Sequence, residues 1–428
     1  MSGAAGVSLV YNSAATITTS GGSALMLPKT FQNGNPWSIR GCLFSHYDGG
    51  SSLGVQDAPF VYIGHQRPVL GLDYNQTNVS PWGDPQQMTD MLAGYNYLAA
   101  APYNAAPSGT INLLGVSMGG LNSLVYAAHN PSKVQSLLIC SPALSLYTGM
   151  YTPQVNLGWQ VNTAYSVANA AALLTTSDPT WGTSGGFGTK IATNRDPYYM
   201  SQNGYTSAFT GTPITILQGG VKLTGLSITA TTTTGSGTAI DPWINKATIT
   251  GAGITTSNVS VGMWLTWATQ DTTILCQVLT VAAGTATVAV YTSNYKCTAT
   301  GSTTLTGTGF SASGLAGYLL KYNGSYGEIA SSTTTVLTVA SWTPSQPTAI
   351  GLYGPTPMIS NGTITAQSNA TFYFSNDYLT WPAWADGFTT AVNGAGGNVS
   401  LVWDNFGGHA IYTEAAMQQA IGQWLPYA

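Results

Sequence analysis

The chain has 428 residues, room for two or three domains; 44% are hydrophobic, with 12 Trp and 24 Tyr, so it can bury large cores and is not a disordered polymer. Only 6% are charged and the net charge is −4, against about 25% charged residues in an ordinary soluble domain. The surface is therefore covered by Ser, Thr, Asn, Gln and Gly, and without a basic face nucleic acid is excluded as an expected partner.

The first stretch, MSGAAGVSLVYNSAATITTSGG, has neither a basic n-region nor an apolar h-region, so no signal peptide is expected. No run of about 18 apolar residues occurs, and no transmembrane helix is expected. SIRGCLFSHYDGG (38–50) and RPVLGLDYN (67–75) read as short apolar strands running into loops. GTINLLGVS is an apolar run closing in a turn, which suits a buried parallel strand. Past Ser117, the residues Met118, Leu121, Leu124, Val125 and Ala128 recur at helical spacing until Asn130 and Pro131 stop the helix. Gly115-Val116-Ser117-Met118-Gly119 is thus strand, sharp turn and helix, and Gly115, Gly119 and Gly120 let strand and helix approach closely. In a chain with 51 glycines, a plain turn serine is the rival reading; the flanking pattern favours a nucleophile. VQSLLICSPAL (134–144) is a further buried strand, and residues 145–212 carry one helix near AYSVANAAALL. Cys42 and Cys140 sit in apolar runs and read as buried thiols, while Cys276 and Cys297 either pair within one small module or stay as two thiols.

TPITILQGG (212–220) is apolar, and whether it is a core strand stays open. The text then becomes Thr-, Ser- and Gly-rich, with alternating runs such as TATVAVY and TTVLTVASW, which is strand and turn at period two. It also repeats. TITGAGI at 248 matches TLTGTGF at 304, a shift of 56; GMWLTW at 262 matches GYLLKY at 317, a shift of 55; LTV at 279 matches LTV at 337, a shift of 58. Two β modules of about that length are the simplest reading, chance similarity in low-complexity sequence the alternative. ATFYFSNDYLTWPAWADGF (370–388) reads as a strand and a loop holding Asp377, NVSLVWDNFGGHAIY (398–412) as a strand and a glycine loop holding His409, and TEAAMQQAIGQWLPYA as a closing helix.

In this order the motifs resemble the α/β-hydrolase family over roughly residues 1–220 and 370–428. The resemblance implies an α/β fold, a mainly parallel sheet flanked by helices, with an inserted all-β domain. The domains follow as 1–219 (first part of the core, with a segment at 145–212 that is either lid-like or a plain connecting excursion), 220–369 (β modules at about 223–300 and 301–355) and 370–428 (final part of the core). It implies a catalytic triad of Ser117, Asp377 and His409 in the family's chain order, with Gly115 and Gly119 shaping the nucleophile turn. An oxyanion hole is implied from the backbone N–H groups of Met118 and of the Tyr47-Asp48 turn. His46 falls where the family often has His-Gly, but Tyr47 stands in place of that glycine. The chemistry suits these types: His409 would take the poorly nucleophilic serine's proton, and Asp377 would orient the imidazole and stabilise its charged form. A structural role is the rival reading for His409, and Asp404 and Asp386 are rival acids. His46 reads as a loop-orienting residue, His65 and His129 as surface or helix-end residues, and Asp73 as a turn cap. No H-E-x-x-H, C-x-x-C or G-x-x-x-x-G-K-[ST] occurs and the only glutamates are Glu328 and Glu414, so no metal or cofactor is expected.

The Thr/Gly-rich modules look like those of bacteriophage tail and other virion surface proteins. That likeness implies an ester-cleaving virion protein, made in the host cytoplasm without a signal peptide and acting on a host-envelope lipid or polysaccharide. Other virion proteins or copies of itself are its implied neighbours. Two other readings compete: a structural or receptor-binding virion protein with an unused hydrolase fold, and a free extracellular esterase or depolymerase with substrate-binding β modules. The step from fold to setting is analogy.

Overall fold

The computed structural model describes residues 40–45, 67–72, 83, 85–145, 195–270, 274–292, 295–308, 310, 314–322, 325–345, 357–377, 380–409 and 411–428, together with the strands Val7–Asn12 and Ser23–Pro28. The described residues form two compact units, one made of those up to 145, 195–219 and 384–428, the other of those within 220–383.

The first unit is built on eight strands: β1 (Val7–Asn12), β2 (Ser23–Pro28), β3 (Cys42–Ser45), β4 (Val69–Leu72), β5 (Ile111–Val116), β6 (Val134–Cys140), β7 (Ile214–Gly219) and β21 (Val399–Asp404). Thirteen strands of the second unit fall between the last two. The sheet order is β1-β2-β4-β3-β5-β6-β7-β21. The pairs β1–β2 and β2–β4 are antiparallel, and from β4 across to β21 every pair is parallel. Parallel neighbours require crossover connections, which put helices over the sheet. That is why β3, β4, β5 and β7 are buried at every position and read as mostly apolar runs rather than alternating ones. The described helices are α1 (Pro85–Ala99), α2 (Met118–His129), α3 (Pro197–Gln202), α4 (Ser207–Thr210), α5 (Pro382–Gly394) and α6 (Glu414–Trp424). Helix α2 packs on β3, β5 and β6, and α6 on β6, β7 and β21. The core on the α6 side joins Phe44, Leu114, Leu138, Leu217 and Val402 of the sheet to Met417, Ile421 and Trp424 of the helix. This mostly parallel sheet and its helices fit an α/β-hydrolase fold. No described helix is long and apolar enough to cross a membrane.

Helix α1 lies outside the elements expected above, although Met88, Met91 and Leu98, all buried, follow helical spacing. TPITILQGG supplies a core strand, β7, lying between β6 and β21.

The second unit holds β8 (Val221–Ile228), β9 (Thr232–Thr234), β10 (Ile244–Thr250), β11 (Trp264–Thr266), β12 (Ile274–Ala282), β13 (Thr285–Thr292), β14 (Lys296–Thr300), β15 (Thr304–Thr308), β16 (Leu319–Tyr322), β17 (Ser325–Ser332), β18 (Val336–Val339), β19 (Met358–Ile359) and β20 (Gln367–Ser375). All its strand pairs are antiparallel. Six strands close on themselves in the ring β8-β10-β13-β12-β11-β20, because β13 pairs with β10 as well as β12 and β20 returns to β8. Alternate residues point inward: Ala247 and Ile249 of β10, Ala286 and Val288 of β13, and Phe372 and Phe374 of β20 enter one core with Leu265 and Cys276. A second core gathers Leu305, Leu320, Ile329, Leu337 and Val339. The strand order β10-β13-β12-β11 recurs as β15-β18-β17-β16. TITGAGI and TLTGTGF open on β10 and β15, and GMWLTW and GYLLKY carry β11 and β16, so those matches fall on corresponding strands. The LTV match does not: one copy lies in β12 and the other in β18, whose counterpart by order is β13.

One sequence expectation is corrected here. The strand in ATFYFS belongs to the ring and not to the parallel sheet: β20 pairs antiparallel with β8 and β11. Its Phe372, Tyr373 and Phe374 are all buried, so it has the same mostly apolar text as a parallel core strand. The second unit accordingly runs past residue 369, where the sequence placed its end, to residue 383.

Cys42, Cys140 and Cys276 are buried and stand outside any disulfide, and the side chain of Cys297 lies outside the described residues. Burial pushes the thiols of Cys42 and Cys276 up to about 12, from about 8.5 in an unfolded chain. A raised thiol pKa favours folding fully below the unfolded value and loses that contribution as pH climbs through the folded one. We therefore expect these two cysteines to resist a thiol reagent at neutral pH until the protein is denatured, and stability to decline from about pH 8.5 toward pH 12. Peptide mapping of iodoacetamide adducts, with melts across that pH range, checks both; native-state labelling of Cys276 would contradict the burial.

Candidate active site

The apolar strand β5 ends at Val116 and α2 begins at Met118, so Ser117 alone makes the turn. Its backbone has φ 55 and ψ −119, a conformation that side-chain-bearing residues rarely adopt. The surrounding backbone holds it there. The Ser117 N–H donates to the Cys140 carbonyl at 2.9 Å, and the Ser117 carbonyl accepts from Gly120 at 3.0 Å and Ala143 at 3.0 Å. The glycines make the turn sterically allowed. A Cβ on Gly115 would stand 2.5 Å from the Gly119 carbonyl oxygen, and one on Gly120 2.8 Å from Cβ of Pro142. Gly119 contributes the carbonyl that crowds Gly115.

At the other end of the sheet's sequence, β21 stops at Asp404 and α6 starts at Glu414, leaving a loop that carries His409. Gly408 and Ile411 pair as a bridge, their backbones joined at 2.8 Å and 3.4 Å, so His409 sits in a tight turn at the loop's tip. Its Nε2 lies 2.9 Å from Oγ of Ser117. With the proton on Nδ1, the serine hydroxyl donates to Nε2, the arrangement a general base requires. Ser117 is 8% exposed, and the contact is sheltered without being sealed from solvent. Ser117 also occupies the N-cap of the twelve-residue helix α2. The helix dipole and the first backbone N–H groups, beginning with Met118, therefore point at the serine end.

Asp377 follows β20 in the second unit and is 1% exposed. Its carboxylate accepts from the Thr380 hydroxyl at 2.5 Å and the Thr380 N–H at 3.1 Å, and its own N–H donates to Oγ of Ser375 at 2.9 Å. Asp386 lies in α5, half-buried. Asp404, the other rival acid, spends its carboxylate on backbone N–H groups of its own loop, as described below. His129 ends α2. Tyr47 and Asp48 lie outside the described residues, as do His46, His65, Asp73 and residues 146–194 of the lid-like segment. Among the described residues no group of three or more His, Cys, Asp or Glu side chains is placed to hold a metal.

The sequence text therefore located a serine and a histidine that the fold brings into contact across 292 positions. It missed how closely the histidine loop is fitted: a Cβ on Gly219 would stand 2.7 Å from the Gly407 carbonyl oxygen. Two glycines far apart in sequence mark that approach.

Residues 96–202, which include the Ser117 turn, match the family model Esterase, and the match supports a serine esterase. No curated protein matches the chain. Among solved structures, the chain is similar to the fluorophosphonate-binding serine hydrolase F of Staphylococcus aureus, substrate bound, at 12% identity and TM-score 0.34, covering 50% of this chain and 78% of that one. It is likewise similar to an S-formylglutathione hydrolase of Staphylococcus aureus, apoenzyme, at 14% identity and TM-score 0.35, covering 50% of this chain and 79% of that one.

Proposed function

We propose that the protein is a serine hydrolase of carboxylic esters working through an acyl-enzyme. The observation that carries this reading is the 2.9 Å contact between Nε2 of His409 and Oγ of Ser117 at a strained strand–helix turn. Ser117 Oγ attacks the ester carbonyl carbon while its proton passes to Nε2 of His409. The tetrahedral adduct collapses, the C–O bond to the alcohol breaks, and His409 returns the proton to the departing oxygen. Water, deprotonated by the same histidine, then attacks the acyl-serine and releases the acid. Negative charge on the adduct's oxygen is stabilised by the Met118 N–H at the start of α2, with Tyr47 and Asp48 as the second source of donors; one such donor is worth about 3 to 4 kcal/mol. Asp377 is the acid of the triad. Its burial and its place between β7 and β21 in the chain, giving the order Ser, Asp, His, support that role.

The wider setting we propose is a phage particle, with the ester in a host-envelope lipid or polysaccharide and residues 220–383 as an insertion carrying two similar β modules. The 6% charged composition and the recurring four-strand order support it.

The test is intact mass after exposure to a fluorophosphonate probe. One adduct on the wild type and none on Ser117→Ala is the expected result. An unlabelled wild type that is demonstrably folded would transfer the reading to a structural protein with an idle site.

A further inference from the structure

Asp404 was a rival for the catalytic acid, and the geometry points to a different task. It ends β21, is 3% exposed, and its carboxylate accepts two backbone N–H groups: that of Thr413 at 2.5 Å through Oδ2 and that of Phe406 at 3.3 Å through Oδ1. These donors lie at opposite ends of the loop that carries His409. One carboxylate therefore clips both limbs of the loop where they leave the sheet. Gly407 lets the turn fold over the clip, because a Cβ there would stand 3.0 Å from both Cβ and Cγ of Asp404. On the far limb, Thr413 is also the N-cap of α6, its Oγ accepting from Ala416 at 3.3 Å. The start of the helix and the end of the strand are thus held to one side chain. Inside the clip, the Gly408–Ile411 bridge forms the tight turn at His409.

We infer that Asp404 is a positioning residue for the hydrolysis, acting through His409: it fixes the histidine loop so that Nε2 stays within hydrogen-bond reach of Ser117. A buried carboxylate is favoured in such a site when it accepts charge-assisted bonds from backbone N–H groups. A shift of the loop by about an ångström would break the serine–histidine contact, and misplacement of that size costs on the order of 100-fold in rate. The inference rests on the serine-hydrolase reading.

The experiment compares full-length Asp404→Ala, Asp404→Asn and Ser117→Ala with wild type, using p-nitrophenyl butyrate hydrolysis, the rate of fluorophosphonate labelling and thermal melting. Asparagine keeps an acceptor for one N–H and loses the charge. The expected order is a fall in kcat of about 10-fold for Asp404→Asn and about 100-fold for Asp404→Ala, with labelling slowed in parallel and KM unchanged. A purely structural role would lower the melting temperature and leave kcat and labelling rate per folded molecule intact. Should Asp404→Ala fail to fold, Asp404→Asn decides. Wild-type kcat in a folded Asp404→Asn or Asp404→Ala protein overturns the inference, provided Ser117→Ala is inactive; hydrolysis that survives in Ser117→Ala overturns the serine-hydrolase reading itself.

Discussion

Ser117→Ala and His409→Ala are each expected to lower ester hydrolysis by on the order of 10^4- to 10^6-fold, and the double variant to be no slower than the worse single one. The reason is the shared contact at 2.9 Å. A serine hydroxyl without its base stays protonated at neutral pH, and a base without the hydroxyl has no proton to take. Groups that act as one unit lose their whole effect when either is removed, so their losses do not add. What remains in the proposed mechanism is catalysis by the oxyanion donors and by binding, which neither substitution touches. Steady-state kcat for the three variants on an ester panel measures this. Losses that multiply in the double variant would show that the two side chains act separately.

The second large effect belongs to a residue with no reactive group. Gly115→Ala puts a methyl 2.5 Å from the Gly119 carbonyl oxygen and 2.7 Å from the Gly120 nitrogen, all within the first turn of α2. Backbone cannot swing aside as a side chain can, so strand and helix must separate. A cost of about 3 kcal/mol in stability is expected, at the upper end of overpacking penalties. Because the same separation moves Ser117, kcat should fall by on the order of 100-fold as well. Gly211→Ala supplies the contrast: its added Cβ has nothing within 4 Å and its φ is −83. There the stability should stay within about 0.5 kcal/mol of wild type. Urea unfolding and kcat on both variants test the argument. A Gly115→Ala protein with native stability would mean that the turn is looser than these distances state.

How much of this could be read from the sequence depends on where the signal resides. The Ser117 turn was legible because three independent features converge within twenty positions: an apolar run, glycines at the crossing and helical spacing after it. His409 was legible through its glycine loop before an amphipathic end. β7 and β20 were harder, for one physical reason. ITILQG and the ATFYFS stretch are both mostly apolar without a clean alternation, and period alone does not say whether a strand is buried in a parallel sheet or in a closed ring. The partner strands decide, and they lie far away in the chain. The LTV repeat misled for a similar reason: three residues of strand text fit any strand of the unit. Asp404 gave no readable signal of its loop-holding contacts. Its partners are main-chain N–H groups, which every residue but proline possesses.

The ring has a consequence for how the chain folds. The first strand of the second unit, β8, pairs with its last, β20, with Val221 opposite Phe374 and Lys222 opposite Tyr373. The two ends of this long detour are thus hydrogen-bonded to each other. Once that pairing exists, β7 and β21, which must meet side by side, are separated by a short effective tether instead of the whole intervening chain. Closure entropy grows as the logarithm of loop length, so shortening the tether from about 180 residues to about 27 removes roughly a third of it. The long closure is thus met once, when β20 reaches β8, and the parallel sheet then adds its last strand against the smaller entropy of the remaining tether.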